Sequence, residues 1–406
     1  MSAPAATHAV VTAADAVALA HRLSVDFATD AGARDADRTL PHAHVRTLKE
    51  SGLLALSVPA EFGGVEAPYE VVTEVFRSIA QADPSLAQIP HSHYTFLEAV
   101  RLRGTPAQKA FFYGVVLSGG LLANAQSERG PHPIDVDVTT LTETESGDYV
   151  LAGRKFYSTG ALFADWVIVR ASVVDGSGET PTSSTPKALA FVPRDAPGLQ
   201  IVDDWDGMGQ RTTASGTVTL DDVRVPADHV VPFSPIFSEP TTYGAQAQVL
   251  HAAIDVGVAD GALEEGIRQA AKARPHFEAR VDAAAEDPTV IQLAGELVVT
   301  VRGARALLAE AAREVDRARA NPTAETTAAA SIAVAVAKVA AVRASLEASS
   351  ALFDLGGTRS ASATSNLSRY WRDARTHTLH DPVRWKIQHV GRYALSGTKP
   401  PRHGQI

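Results

Sequence analysis

The chain has 406 residues, of which 45% are hydrophobic and 20% charged, a composition typical of globular proteins with two or three domains. Its 46 acidic and 37 basic residues give a net charge of −9, without a basic stretch, so nucleic-acid binding is not expected. The absence of cysteine excludes disulfides, thiolate catalysis and cysteine-held metals. The first residues lack a signal-peptide pattern, and Lys338 and Arg343 interrupt the most apolar segment, so we expect a cytoplasmic protein without a membrane span.

The first zone, up to about Leu117, has a helical pattern. PHAHVRTLKESGLL ends at a glycine stop, and APYEVVTEVFRSIAQADPS places its apolar residues on one helical face (Val71, Val72, Val75, Phe76 and Ile79). We predict an N-terminal helical domain over residues 1–118.

The second zone reads as β-structure. DYVLAGRKFYS, DWVIVRASVV, KALAFVPR and GTVTLDDVRVP are short β-branched runs separated by turn residues. In the last run Val218 and Leu220 alternate with Thr217 and Thr219, as in a half-buried strand. We predict a central β domain over residues 119–232.

The third zone returns to long, alanine-rich helical stretches. Three of them begin near Tyr243, Pro288 and Thr323, and a fourth covers ATSNLSRYWRDARTH. Helices of this length pack as an antiparallel bundle. We predict a C-terminal four-helix bundle domain over residues 233–406.

Common catalytic motifs are absent. None of the 14 histidines follows a glutamate by three positions or precedes one directly, which argues against zincin and di-iron sites, so no metal is expected. No serine lies in Gly-x-Ser-x-Gly, and the glycine-rich nucleotide loops are also missing. The segment RTHTLHDPVRWK, with His377 and His380 three residues apart, therefore needs another explanation.

Three spaced blocks supply one. ANAQSERG, LAGRKFYSTGALFADWVIVRA and DDWDGMGQRTTASGTVTLDDVRVPADHVV resemble, in this order, the middle domain of the acyl-CoA dehydrogenase superfamily. The resemblance implies an α+β fold with a helical N-terminal domain, a central β-barrel or sandwich domain and a C-terminal four-helix bundle.

The sequence departs from the dehydrogenases at the catalytic base. Those enzymes need a glutamate near the C-terminus or on the first bundle helix, and here LHDP and YGAQAQVLH stand at these positions. Asp381 remains a minor candidate for the base. SLAQIPHSH, GGTRS and RYWRDARTHTLHDPVRWK instead resemble the reduced-flavin monooxygenase branch, which includes dibenzothiophene monooxygenase and sulfur-acquisition oxidoreductases.

That branch implies a two-component enzyme. A separate NAD(P)H:flavin reductase supplies FMNH2, and a C4a-(hydro)peroxyflavin transfers oxygen to a small organosulfur or heteroaromatic substrate. The alternative is an FAD-dependent acyl-CoA dehydrogenase, and FAD also remains possible as the cofactor of a monooxygenase. A homotetramer, usual in the superfamily, and a role in sulfur metabolism are expected by the same resemblance.

The resemblance also implies site residues. His93, Asn124 and His380 are the expected catalytic residues, with His91 competing for the role of His93. Flavin binding is expected from Asn124, Ser127, Tyr157, Ser158, Thr159, Arg274, Thr358, Arg359 and His380. Of these, the two arginines suit the FMN phosphate, and Arg359 is expected to come from a neighbouring subunit.

Overall fold

The computed structural model describes residues 12–406, which begin with a helical region. Its helices are α1 Ala13–Ala28, α2 Ala31–Asp37, α3 His42–Glu50, α4 Tyr69–Ala82, α5 Pro84–Gln88, α6 His91–Arg103 and α7 Pro106–Leu117. The apolar face of α4 is buried, as its spacing predicts, and a capping box between Thr105 and Gln108 begins α7.

The central region is one mixed, eight-stranded sheet. Its strands are β1 Leu122–Ala125, β2 Thr140–Glu143, β3 Tyr149–Lys155, β4 Trp166–Val174, β5 Lys187–Pro193, β6 Leu199–Val202, β7 Thr217–Val225 and β8 Val230–Pro232. They follow the order β6-β7-β3-β2-β4-β5-β8, and β1 pairs in parallel with β4. The four predicted strand segments coincide with β3, β4, β5 and β7.

The C-terminal region contains α8 Tyr243–Ala270, α9 Pro288–Ala320, α10 Ala324–Gly356, α11 Ser368–His377 and α12 Val383–Ser396. The four predicted helices are α8 to α11, and α12 was not predicted. His380 and Asp381 lie in the turn between α11 and α12. The predicted α+β class and the helical, β, helical order are confirmed.

Two glycines let α8 approach α4 closely. A Cβ atom on Gly257 would lie 2.4 Å from the carbonyl oxygen of Arg77, and one on Gly261 would lie 2.4 Å from that of Gln81. Contacts this short are not possible for other residues, so these positions fix the packing of α8 beneath the N-terminal region.

By length and composition α10 could cross a membrane, although Lys338 and Arg343 were expected to interrupt the segment. It is the only such helix among residues 12–406, and 56% of its most apolar 18-residue window is buried within the protein. Lys338 itself is fully buried and forms an ion pair with Asp255 of α8. In this structure α10 is therefore a core helix.

Candidate functional site

A cleft of about 620 Å³ lies where the three regions meet. This volume is within the range of small-molecule sites. The lining residues come from α6, the strands and their loops, α8, the turn after α11 and the C-terminal tail: His91, Ser92, Thr95, Asn124, Gln126, Ser127, Ile134, Asp135, Arg170, Lys187, Phe233, Ser234, Phe237, Tyr243, Ala247, Gln248, His251, His380, Asp381, His403, Gly404 and Gln405.

His91 and His93, both on α6, have different surroundings. The Nε2–H of His93 donates to the Leu54 carbonyl oxygen at 2.9 Å, and its Nδ1 accepts from the Leu122 amide at 3.1 Å. His93 is fully buried and does not line the cleft, and both of its ring nitrogens bond to the main chain. His91 does line it, and its Nε2–H donates to the Ala247 carbonyl oxygen at 2.9 Å.

Three histidine rings meet at the base of the cleft. The ring of His251 stacks on His91 with centroids 3.7 Å apart, and lies 4.2 Å from the ring of His380. Burial lowers the pKa of His91 to about 3 and holds the pKa of His251 well below its ordinary value. Both rings are therefore neutral near pH 7, whereas the half-exposed His380 faces solvent.

Asp381 contacts His380 and is almost completely buried. Its Oδ2 lies 3.2 Å from the Nδ1 of His380, and its Oδ1 has no hydrogen-bond partner. Although burial raises the pKa of Asp381, the charges of His380 and Lys386 hold it well below its ordinary value. A carboxylate with a lowered pKa is a weak base, which argues against Asp381 as the proton acceptor of a dehydrogenase.

No glutamate is among the cleft-lining residues of the described chain, where the only carboxylates are Asp135 and Asp381. The side chains of His251, His380 and Asp381 place possible ligand atoms within 4.8 Å of one another. Donor atoms around one zinc ion lie closer together, and both the His251 Nδ1 and the His380 Nδ1 already have hydrogen-bond partners. The expected absence of a metal stays a prediction.

Polar groups of the sheet form the opposite wall. Asn124 and Ser127 line the cleft, whereas Tyr157, Ser158 and Thr159 do not. The Asn124 side-chain amide donates to the Tyr157 carbonyl oxygen at 3.1 Å, and its main-chain amide donates to the Thr159 carbonyl oxygen at 3.3 Å.

Two features of this segment are unusual. Tyr157 has φ 55°, a conformation rare for residues other than glycine, and the residue is 45% exposed. Ser158 is buried, and its Oγ has no hydrogen-bond partner. The hydroxyl of Thr159 bonds to that of Ser215 at 2.7 Å. The segment therefore combines an exposed aromatic ring with one unpaired buried hydroxyl.

The predicted phosphate ligands lie elsewhere. Arg274, Thr358 and Arg359 are exposed and do not line the cleft of their own chain. The Arg359 guanidinium donates to the Lys272 carbonyl oxygen, which places the two arginine-bearing segments side by side. Within one chain the structure does not bring these residues to the histidines.

The C-terminal tail closes one side of the cleft. His403, Gly404 and Gln405 line it, the Lys386 ammonium donates to the Gln405 carbonyl oxygen at 2.9 Å, and Ile406 is buried. A Cβ atom on Gly244 would lie 2.3 Å from the His403 carbonyl oxygen, so the tail packs directly on the start of α8.

Comparison with known proteins accounts for this arrangement. Three acyl-CoA dehydrogenase models match in order: the N-terminal domain at residues 20–120, the middle domain at 124–223 and the C-terminal domain at 249–385. The chain belongs to the acyl-CoA dehydrogenase superfamily. It is 34% identical to dibenzothiophene monooxygenase of Rhodococcus qingshengii over 399 residues, covering 95% of this chain and 94% of the relative. It is 32% identical over 403 residues to "Probable FMNH2-dependent monooxygenase SfnC" of Pseudomonas putida, covering 95% and 96%.

Solved structures of superfamily members support the same family assignment. FMN-bound TdsC from Paenibacillus sp. A11-2 superposes with a TM-score of 0.90 at 32% identity, covering 96% of this chain and all of that one. Methanesulfinate monooxygenase MsuC from Pseudomonas fluorescens gives 0.87 at 32% identity, covering 96% and 99%. Butyryl-CoA dehydrogenase from Megasphaera elsdenii, at 19% identity and a TM-score of 0.82, shares the fold. Within the superfamily the chain lies in the flavin-dependent monooxygenase branch.

The cleft fits a flavin of this branch. Its volume suits a tricyclic ring, and Asn124, Gln126 and Ser127 offer donors and acceptors to ring heteroatoms. The unpaired Oγ of Ser158 lies in the adjoining segment but is buried and does not line the cleft.

Sequence reasoning missed His251, Asp255 and Lys338. His251 and Asp255 are four residues apart on α8, a spacing that places both on one helical face. Lys338 stands alone in an apolar helical stretch, and a lysine there needs a buried partner. These two signals were available in the sequence.

Proposed function

We propose that the chain is a two-component monooxygenase that takes FMNH2 from a separate NAD(P)H:flavin reductase and oxygenates a small organosulfur or heteroaromatic substrate. The relatives named for dibenzothiophene, methanesulfinate and FMNH2 support this assignment. The observation that carries it is the base of the cleft, where histidines occupy the space in which a dehydrogenase needs a glutamate. An FAD-dependent acyl-CoA dehydrogenase is not supported, because no glutamate of residues 12–406 lines the cleft and the lowered pKa of Asp381 makes it a weak base.

The bound reduced flavin supplies the electrons with which O2 is activated. The chain's own residues bind and orient it: Asn124 and Ser127 face the cleft, and Tyr157, Ser158 and Thr159 support Asn124 and border the ring. We assign these five residues to flavin binding. Asn124 also contacts the reacting region in this assignment, because its side chain is presented to the cleft by the parallel pairing of β1 with β4.

His380 is the proposed proton donor. It is the most exposed of the three histidines at the base of the cleft, and Asp381 at 3.2 Å orients its ring. We assign the partner role to His91, which lines the cleft, in place of His93, which does not. His93 has a positioning role, since it joins α6 to β1 through the Leu122 amide.

We propose that the phosphate of FMN is bound by Arg274, Thr358 and Arg359 of a neighbouring subunit. These residues are exposed and lie together, as a site completed in trans requires. α9 exposes Val299, and a Cβ atom on Gly295 or Gly303, four residues to either side, would meet nothing within 4 Å. This open face supports assembly into a homotetramer. A cytoplasmic location and a role in sulfur metabolism complete the proposal.

The experiment mixes the protein and anaerobically reduced FMN with oxygenated buffer containing dibenzothiophene, methanesulfinate or indole. We expect an oxygenated product from at least one probe. His380→Ala should lower the ratio of product to hydrogen peroxide about 100-fold, because proton transfer contributes factors of that size. His21→Ala, at an exposed histidine on α1 outside the cleft, is the matched control and should leave the ratio unchanged. Reduction of FAD-loaded protein by an acyl-CoA, without oxygenated product, would overturn the proposal.

A further inference from the structure

A buried ion pair lies directly behind the cleft histidines. Lys338 and Asp255 are both fully buried, and the Lys338 ammonium donates to Asp255 Oδ2 at 2.5 Å. Although burial raises the pKa of Asp255, His377 and Lys338 hold it below its ordinary value. Asp255 is therefore an anion, and an ionised carboxylate can only accept hydrogen bonds.

Because Asp255 can only accept, it determines which ring nitrogen of His377 carries the hydrogen. Asp255 Oδ1 lies 2.5 Å from Nδ1 of His377, so Nδ1 of His377 must carry the hydrogen. Burial lowers the pKa of His377, which keeps the ring neutral. A neutral imidazole has one N–H, and the Nε2 of His377 is therefore an acceptor.

The chain of hydrogen bonds continues from His377 to His251 in the cleft. Nδ1 of His251 lies 3.0 Å from Nε2 of His377, and only one of these two atoms can carry the hydrogen between them. Because the Nε2 of His377 is an acceptor, the Nδ1 of His251 must donate. The opposite choice would bring two lone pairs together in a buried space. His251 is also neutral, so its Nε2 has a free lone pair.

We infer that Lys338 and Asp255, acting through His377, fix the tautomer of His251 so that its Nε2 is a hydrogen-bond acceptor toward molecules bound in the cleft. Lys338, Asp255 and His377 are positioning residues, and His251 is the residue that contacts the ligand. The use of this acceptor, for an N–H or O–H group of the flavin or substrate, rests on the proposed function. The tautomer itself is a property of the protein without cofactor.

The cleft thus contains histidines of opposite character. His380 is half exposed, and because its Nδ1–H donates to the Asp381 carboxylate, it donates to a ligand only through Nε2–H of the doubly protonated ring. His251, buried between His91 and His380, presents a fixed acceptor. A donor and an acceptor at fixed places can orient a polar ligand in one direction only, which three freely rotating or titrating rings could not.

The test is magic-angle-spinning NMR of protein labelled with ¹⁵N-histidine, in the absence of flavin near pH 7.5. Peaks are assigned by substituting His251 and His377 singly by glutamine. We expect one form of each ring in the wild type, with Nδ1 protonated and Nε2 bare. Observation of protonated Nε2 on His251 in the wild-type protein would overturn the inference without reliance on any variant.

The charges are tested with the double variant Asp255→Asn/Lys338→Met, which removes both buried ions together. An asparagine can either donate to or accept from His377, so His251 should show both tautomers or the reversed one. Arg77→Met/Asp260→Asn, which neutralises another buried pair involving α8, is the matched control and should retain the wild-type spectrum. A wild-type tautomer in Asp255→Asn/Lys338→Met would overturn the assigned role of the ion pair.

A second readout addresses the use of the acceptor. With reduced FMN and a probe that the wild type oxygenates, Asp255→Asn/Lys338→Met should lower kcat by at least about tenfold, since the altered tautomer no longer presents the acceptor that orients the reacting groups. The KM for the probe should change little. An unchanged kcat in a variant with an altered tautomer would overturn the acceptor role. If no probe is oxygenated by the wild type, the proposed function fails, whereas the expected NMR result would still support the tautomer.

Discussion

Substitution of Lys155 by methionine tests how the cleft wall is held in place. Lys155 ends β3, is fully buried, and donates to Glu128 Oε1 at 2.6 Å, Asp137 Oδ1 at 3.0 Å and the Gln126 carbonyl oxygen at 3.1 Å. One ammonium group thus joins both ends of the loop that carries Ile134 and Asp135 into the cleft.

The expected loss of stability follows from the groups left behind. Removing one partner of a buried ion pair costs about 3–5 kcal/mol, because an uncompensated charge remains. Here Asp137 keeps Arg170, whose Nε lies 2.7 Å from Oδ2, and Glu128 keeps the amides of Val138 and Thr139. We therefore expect Lys155→Met to lower the free energy of unfolding by about 3 kcal/mol, the lower end of that range.

The assay is urea denaturation followed by tryptophan fluorescence, together with hydrogen exchange of residues 128–139. Lys49→Met is the matched control, because Lys49 contacts Asp165 at 2.8 Å in a partly exposed pair that is worth about 1 kcal/mol or less. Faster exchange should be confined to the loop in Lys155→Met. A stability equal to that of Lys49→Met, with unchanged exchange in the loop, would refute the reasoning.

Three further predictions concern pH and packing. Burial raises the pKa of Asp373 from 3.8 to about 7, so the folded state binds the proton more tightly, and the stability contributed by this group should fall by about 3.4 kcal/mol as pH rises from 4 to 7; parallel urea titrations of wild type and Asp373→Asn should show their difference in free energy of unfolding change by that amount. Burial lowers the pKa of His91 to about 3 and of His93 to about 4, so in the Asp373→Asn background these two histidines should lower the free energy of unfolding as pH falls below 6.5, with a slope that approaches about 2.7 kcal/mol per pH unit, and a flat profile between pH 6.5 and 5 would contradict it. Gly244→Ala should displace the C-terminal tail and speed its digestion by carboxypeptidase, whereas Gly391→Ala, whose added Cβ meets nothing within 4 Å, should not.

The fold was predictable because its signals are local. Helical spacing in α4 and strand alternation in β7 each depend on a few neighbouring residues, and the spaced motifs gave the order of the three regions. The sequence did not reveal α12, since Asp381-Pro382 was interpreted as the end of a helix. In the structure Pro382 precedes Val383, the first residue of α12, which is a favourable position for proline because it needs no amide donor there.

The site was less predictable because it depends on the direction in which side chains point and on contacts between residues far apart in sequence. His91 and His93 are two positions apart on a helix and so point in nearly opposite directions, but the pattern does not indicate which one faces the cleft. The pairing of Asp255 with Lys338 spans 83 positions and depends on how α8 packs against α10. The roles proposed for the arginines involve a second copy of the chain, which one sequence does not position.

The buried end of the tail has a practical consequence for anyone handling this enzyme. Ile406 is only 3% exposed, and its carbonyl oxygen lies 2.4 Å from where a Cβ atom on Gly244 would be. A purification tag added after Ile406 would have to lift this segment away from the pocket before it could reach solvent. Activity compared between chains with and without an extension after Ile406 would report directly on how residues 403–406 close the cleft.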